Sequence, residues 1–313
     1  MEGIGLLSIP GGILCKKDVL GQSFSGTISG CNINIVFPSL SDDSSKDNLN
    51  HVGMSNRLKA PADGTKLRLD GEMIIWGYPM MAPQMNSFVK YVIVEVDCNE
   101  LESNRLAQNL YAGAQDWAHS FKCFLQLLTK QQLERKLKAS TTGNNLQLII
   151  DGKHVQNQQP QVLQAHFHTD NDFASCEEIK QAIDFASSGK ELFLEYQMLL
   201  SAYNSRKEGA NRQAIIDACS AVEICLVNQI TSYCNQKGLD PDILINKYRY
   251  LGDRFSLVKK LDINSPSFDF DKVIVKPRNK VAHNRDAYPT NECTDELIEM
   301  VENYLTHYHT SYY

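Results

Sequence analysis

The sequence lacks the residue patterns that mark common metal, nucleotide and hydrolase sites. Its nine cysteines include no CxxC pair, and their odd number does not fit a closed disulfide framework. It contains no phosphate-binding glycine loop, no G-x-S-x-G nucleophile elbow and no HExxH helix. We therefore expect the cysteines to be free and to pack as small core residues.

Signals for membrane insertion and export are also missing. No apolar run reaches the length of a membrane span. The first twenty residues are mildly apolar, but Pro10, Gly11 and Gly12 interrupt them, and they do not follow the order of a signal peptide. These features predict a cytoplasmic protein that does not associate with a membrane.

Length and charge set further limits. A chain of 313 residues is long enough for two domains of ordinary size. The formal net charge of −6 means that the protein as a whole does not attract nucleic acid. Any contact with RNA must therefore come from a local basic patch.

The first half of the chain has the alternation and the β-branched residues that are typical of strands. A long helix is predicted over 103–137, because apolar residues recur at three- and four-residue steps. Its polar end, from Gln131 onward, is expected to project into water. The expected fold of this half is an antiparallel β-sandwich-like sheet or partial barrel with the long helix packed on one face. Strands are predicted over 21–38, 66–77, 87–97, 146–150 and 162–168.

From about residue 176 the spacing of apolar residues becomes helical. The last predicted helix starts at Thr294, where the T-D-E-L sequence resembles a capped start. We place the domain boundary at 175/176, within a transition zone of 168–190. The sequence thus predicts an α+β protein, with a β-rich sensor or partner-binding domain over 1–175 and an all-helical domain over 176–313. Helices are predicted over 176–206 with a break near 187–189, and over 209–236, 242–261, 267–284 and 294–309.

One short segment, KPRNKVAHNR at 276–285, carries a concentration of chemically useful side chains. Arg278, Asn279 and His283, the Arg–Asn–His cluster, place a guanidinium, an amide and an imidazole within six residues. On a helix, Asn279 and His283 lie about 40° apart, and Arg278 and His283 about 140° apart, a gap that the long arginine can span. Pro277 suits the first turn of a helix and would break a helix that ran through it.

These three groups form a reasonable minimal site for cutting RNA without a metal. Imidazole titrates near neutral pH and can move the proton of the 2′-hydroxyl or of the leaving oxygen. The planar fork of arginine can hold phosphoryl oxygens as negative charge builds on them. The amide can hold the phosphate or orient the imidazole.

The R-N-x-x-A-H string, late in an all-helical domain, resembles the Rx4–6H motif of HEPN proteins. Residues 212–223 (RQAIIDACSAVE) resemble the long HEPN helix with an Ala-rich, Glu-bearing face, and 248–261 resemble the helix before the motif. The resemblance covers about 185–309. Pro277, directly before the arginine, departs from the family pattern.

The resemblance implies a helical bundle that dimerises and brings the motifs of two chains to one composite cleft. It implies a metal-independent endoribonuclease of a bacterial defence or toxin system, without a cofactor, that leaves 2′,3′-cyclic phosphate ends. By position, Arg278 and His283 would be the catalytic pair, with Asn279 as the polar residue beside the arginine.

The surrounding charge is compatible with RNA binding. Residues 247–285 contain ten basic and four acidic side chains, a local charge of about +6 in an acidic protein. The predicted RNA contacts, including one aromatic ring that could stack on a base, are Tyr248, Arg249, Lys276, Lys280 and Arg285.

Two alternatives remain open for this region. Arg278 and His283 could pair at a helix end in a non-catalytic HEPN module that dimerises or binds RNA, a nucleotide or a protein partner. Glu223, on the predicted second helix, could orient His283 or Arg278, or it could be a solvated charge.

Two histidine pairs lie outside this region. His166 and His168 share one strand face but have no nearby third ligand. His307 and His309 lie near the end of the last helix and are expected at the surface. The sequence therefore predicts no metal site.

Overall fold

A computed structural model of the chain divides into two compact units, Met1–Lys190 and Glu191–Tyr313. The division between these units, at 190/191, falls at the end of the predicted transition zone of 168–190. The residues that the structure describes are 2–38, 77–79, 87–97, 103–131, 146–150, 153–155, 173–263, 268–283, 288–309 and 312–313.

The described part of the first unit contains an antiparallel sheet in the order β2-β3-β5-β1-β6-β7, with β4 paired to β5. The described strands form one sheet, whereas the sequence pattern led us to expect a sandwich-like arrangement. The predicted strand at 162–168 and most of the one at 66–77 lie outside the described residues. The strands are β1 (Glu2–Cys15), β2 (Ser23–Ile28), β3 (Cys31–Val36), β4 (Gly77–Pro79), β5 (Ser87–Asp97), β6 (Leu146–Ile150) and β7 (Lys153–Val155).

The apolar segment at the start of the chain forms strand β1, which the sequence analysis did not predict. β1 pairs with β5 up to Ser8 and again from Ile13, with a shift in register between them. Gly11 and Gly12, at this irregularity, have φ angles of 81° and 64°. Glycine adopts such left-handed angles at little cost, so the residues that interrupt the apolar run provide a β-bulge.

Two helices of the first unit, α1 (Ser103–Thr129) and α2 (Cys176–Ser188), pack on the sheet and on each other. Phe124 of α1 stacks on Phe185 of α2 with 4.6 Å between ring centroids. α2 begins with a capping box in which Ser175 and Glu178 satisfy each other's backbone N–H groups. Because the buried face of α2 contacts α1 and β2, this helix belongs to the first unit.

The end of α1 differs from the prediction. The helix stops at Thr129, and Gln131 is buried rather than exposed to water. Its Oε1 accepts the N–H of Leu14 at 2.7 Å, and its Nε2 donates to the Leu14 carbonyl at 2.8 Å. The side chain thus satisfies both backbone groups of a buried residue in β1.

Replacing Gln131 with leucine should lower the free energy of unfolding by about 1–3 kcal/mol, because the buried N–H of Leu14 loses its acceptor. The Leu14 carbonyl keeps one partner, the N–H of Ala174 at 2.8 Å. Gln181→Leu is the matched control: Gln181 is exposed on α2 and bonds only an exposed carboxylate. Chemical denaturation of both variants measures the difference. Equal stability of the two would show that the Gln131 bonds contribute nothing.

The described part of the second unit is helical. The helix α4 is central, because α3, α5, α6, α7 and α8 all contact it. The predicted break between the first two helices of the region is confirmed, since Gly189 caps α2 in a left-handed conformation. The helices are α3 (Leu194–Lys207), α4 (Asn211–Lys237), α5 (Pro241–Lys247), α6 (Leu251–Lys260), a π-helical turn (Asp271–Val275), α7 (Lys276–Ala282) and α8 (Asn291–Tyr308).

Two helix boundaries in this unit differ from the predictions. The segment 242–261 forms two helices, α5 and α6, with a short connection between them. α8 begins at Asn291, and Thr290 caps it by accepting the N–H of Cys293 at 3.2 Å. Thr294, the predicted cap, is fully buried inside the helix and donates to the Thr290 carbonyl.

Within the described residues, α4 alone is long and apolar enough, by length and composition, to cross a membrane. No segment of this kind is expected from the sequence. In the structure, 61% of the most apolar stretch of α4 is buried inside the protein. This burial is what a core helix of a helical unit requires.

Candidate functional site in the second unit

The Arg–Asn–His cluster lies on α7 and at its end. α7 begins at Lys276, so Pro277 lies in its first turn, as predicted, and a π-helical turn leads into it. The N–H of Lys276 donates to the carbonyl of Asp271, five residues earlier, which is the hydrogen bond of a π-helix. Pro277 has no N–H and cannot donate the bond to the carbonyl four residues earlier that an α-helix would require. Such π turns inside helices are frequent at functional sites.

One buried residue, Val281, anchors α7, which packs against α4. Asn279, Lys280 and His283 are exposed, and Arg278 is half-buried. The amide of Asn279 and the imidazole of His283 therefore lie on the face of α7 opposite its buried anchor, where solvent reaches them.

The Arg278 side chain interacts with Asn279, its neighbour on α7, and lies near Cys219 of the central helix α4. Its Nη1 donates to Oδ1 of Asn279 at 3.3 Å. Burial raises the pKa of the Cys219 thiol on α4 to about 12, and the nearby Arg278 guanidinium works against that rise. The Cys219 thiol also contacts the carbonyl of Ile274 at 4.0 Å, so the same region of α4 supports the π-helical turn.

His283 caps α7, and its N–H donates to the Asn279 carbonyl at 3.1 Å. Asn279 and His283 thus share the last turn, as the spacing predicts. Among residues 268–283, the structure gives Arg278 a bond to Asn279 and none to His283. A single chain therefore does not pair the guanidinium with the imidazole.

Glu223 orients neither member of the predicted catalytic pair. Its carboxylate bonds Nη1 of Arg254, whose Nε donates to the Tyr248 carbonyl at 3.0 Å. These bonds hold α6 and the connection before it against α4. The two alternatives for Glu223 were a group that orients the catalytic pair and a solvated charge. The structure instead shows an ion pair with Arg254.

The predicted RNA contacts fall in two places. Lys276 and Lys280 are on α7, and Lys276 pairs with Asp271 at 2.9 Å, which raises the pKa of the lysine.

Tyr248 and Arg249 lie in the connection between α5 and α6. Tyr248 is half-buried with its ring 5.7 Å from the Lys247 ammonium, and Arg249 is exposed with its Nε on the Asn246 carbonyl at 3.0 Å. Arg285 lies outside the described residues, as do His166 and His168.

A second cluster in this unit was missed by the sequence analysis. Glu195 of α3, Cys225 of α4 and His309, just after α8, bring a carboxylate, a thiol and an imidazole together. His307 is exposed as predicted, but His309 is not at the surface as expected: its side chain is only 13% exposed. One signal was present in the sequence, since Glu195 falls on the same helical stripe as the apolar Leu199 and Ala202.

No protein-family model, curated protein or solved structure matches this chain. The resemblance to HEPN proteins therefore depends on the sequence alone, at 212–223, 248–261 and 278–283.

Proposed function

We propose that the protein is a metal-independent endoribonuclease of the HEPN type, acting in the cytoplasm in a bacterial defence or toxin-like stress response. The observation that supports this proposal best is the exposure of Asn279 and His283 on one face of α7, with Arg278 half-buried beside them. The basic residues of 247–285 are a second support, because they provide a local positive charge for a polyanion.

In the proposed reaction, the 2′-hydroxyl of the substrate attacks the adjacent phosphorus and the 5′-oxygen leaves. His283 moves the protons, and Arg278 stabilises the charge on the phosphoryl oxygens. The product ends would be a 2′,3′-cyclic phosphate and a 5′-hydroxyl. Because Arg278 bonds Asn279 and not His283 within one chain, the proposal requires a homodimer in which two α7 helices complete one cleft. The first unit would act as a sensor for a regulatory protein or ligand.

The second candidate function is a non-catalytic HEPN module that dimerises or binds RNA, a nucleotide or a protein. The bond of Arg278 to Asn279 and its proximity to buried Cys219 favour it, since both are interactions expected of a structural arginine.

Arg278→Ala separates the two functions. Purified full-length protein is incubated with total RNA in EDTA, and circular dichroism in the same buffer verifies the fold. If the proposal is right, cleavage falls about 10²–10³-fold in the variant, the usual effect of removing one charge-stabilising donor. The new 3′ ends should release phosphate to phosphatase only after acid opens the cyclic ring.

Arg105→Ala is the control, because Arg105 is an exposed arginine of the first unit. Equal cleavage by the wild type and both variants would mean that Arg278 takes no part in the reaction. Absence of cleavage by the wild type, together with RNA retardation on gels, would favour the non-catalytic module.

A further inference from the structure

We propose that Glu195, Cys225 and His309 form a binding site for one divalent cation of the zinc class. A thiolate, an imidazole and a carboxylate are the three ligand types that zinc takes in proteins. The site uses none of the residues of the Arg–Asn–His cluster, so it is independent of the proposed ribonuclease activity.

The donor atoms are already close together. Nε2 of His309 lies 2.6 Å from Oε1 of Glu195, and the three donor atoms are all within 4.8 Å of one another. Tetrahedral zinc, with bonds of about 2.0–2.3 Å, separates its ligands by about 3.3–3.8 Å. Movements of about 1 Å or less would therefore convert the cluster into a coordination site.

Further side chains hold the ligands in the way that metal sites use outer contacts. Nδ2 of Asn228 donates to Oε1 of Glu195 at 3.3 Å. Nε2 of Gln229 donates to the Cys225 sulfur at 3.6 Å, and Oε1 of Gln229 accepts the hydroxyl of Tyr304 at 3.1 Å. The Tyr304 bond fixes the amide so that its N–H group, and not its oxygen, faces the sulfur.

The His309 ring is fixed by aromatic packing. It stacks on Phe193 with 4.8 Å between ring centroids, and it contacts the rings of Tyr196 and Tyr308 at 5.6 and 4.6 Å. A ring held on several sides loses little further freedom when it binds a metal.

Charge also favours a cation. A carboxylate and a thiolate bring two negative charges into a site where Glu195 and Cys225 are almost fully buried. A divalent cation with a neutral imidazole makes the site neutral, which removes the cost of burying a net charge. The His309 side chain is 13% exposed, so one edge of the cluster reaches the surface. Three protein ligands leave a fourth position for water or a small ligand.

Binding releases the thiol proton, since the thiolate is the ligand.

A cobalt titration of the full-length chain, stripped with EDTA and freed of chelator, tests the site. We expect one equivalent of Co²⁺ to give a thiolate-to-cobalt charge-transfer band and the visible bands of tetrahedral cobalt. Zn²⁺ should abolish both by displacement, and it should raise the melting temperature. Cys225→Ser and His309→Gln should each weaken binding at least about 100-fold.

The control is Cys234→Ser, which removes another buried cysteine of α4 outside the cluster and should leave the titration unchanged. Circular dichroism of the metal-free proteins shows which variants fold. If Cys225→Ser does not fold, the titration of His309→Gln tests the site. Absence of a cobalt–thiolate band in the wild type, or the same spectrum in folded variants, would leave only an ion pair between Glu195 and His309. The RNA assay in EDTA does not depend on this outcome.

Discussion

Replacing His283 with alanine is expected to lower the rate of RNA cleavage by about 10²–10⁴-fold, the usual contribution of a general acid–base group. His283 is exposed at the end of α7, so its loss removes no buried contact and should leave the melting temperature nearly unchanged. A large kinetic effect on an intact fold would identify the imidazole as part of the reaction. The measurement is the initial cleavage rate of a defined RNA in EDTA.

His307→Ala is the matched control for this prediction. His307 is also an exposed imidazole near the end of a helix in the second unit, but it lies on α8. The control should cleave RNA at the wild-type rate. If His283→Ala also cleaves at that rate while Arg278→Ala does not, the imidazole has no role and the proposed proton transfers are wrong.

Gly12→Ala should lower the free energy of unfolding by about 2–5 kcal/mol. Two effects add here. Gly12 has φ = 64°, which strains any residue with a Cβ, and the added Cβ would lie 2.1 Å from the ring of Phe88. That ring is itself buried, at 3% exposure, so it has little room to move. Chemical denaturation measures the loss.

Gly30→Ala separates the strain from the clash. Gly30 lies between β2 and β3 with φ = 77°, but nothing is within 4 Å of the position of its Cβ. Only the backbone strain remains, so the expected cost is about 1 kcal/mol. A Gly12→Ala loss no larger than that of Gly30→Ala would show that the strand accommodates the methyl group by shifting.

Local pattern predicted the elements whose signals lie within a few residues. The alternation over 87–97 predicted β5, and the apolar stripe from Leu106 to Leu128 predicted α1, because burial of one face imposes a period on the sequence. The same reasoning missed β1. Its bulge places glycines in the middle of the strand, where they resemble a break.

Of the two candidate sites, one could be predicted from local sequence and the other could not. Arg278, Asn279 and His283 are neighbours in the sequence, so a motif and a helical spacing could find them. Glu195, Cys225 and His309 come from α3, α4 and the end of α8. Their separation along the chain hides them from any local pattern.

The sequence by itself determined that a β-rich half precedes a helical half, and that one short segment concentrates arginine, asparagine and histidine. These features depend on periodicity and on neighbouring residues. Only the tertiary structure decided that α2 packs on the sheet of the first unit, that Glu223 pairs with Arg254, and that His309 pairs with Glu195. The reason is physical: which polar groups meet depends on how helices and strands distant in sequence pack, and packing is set by the apolar faces they share.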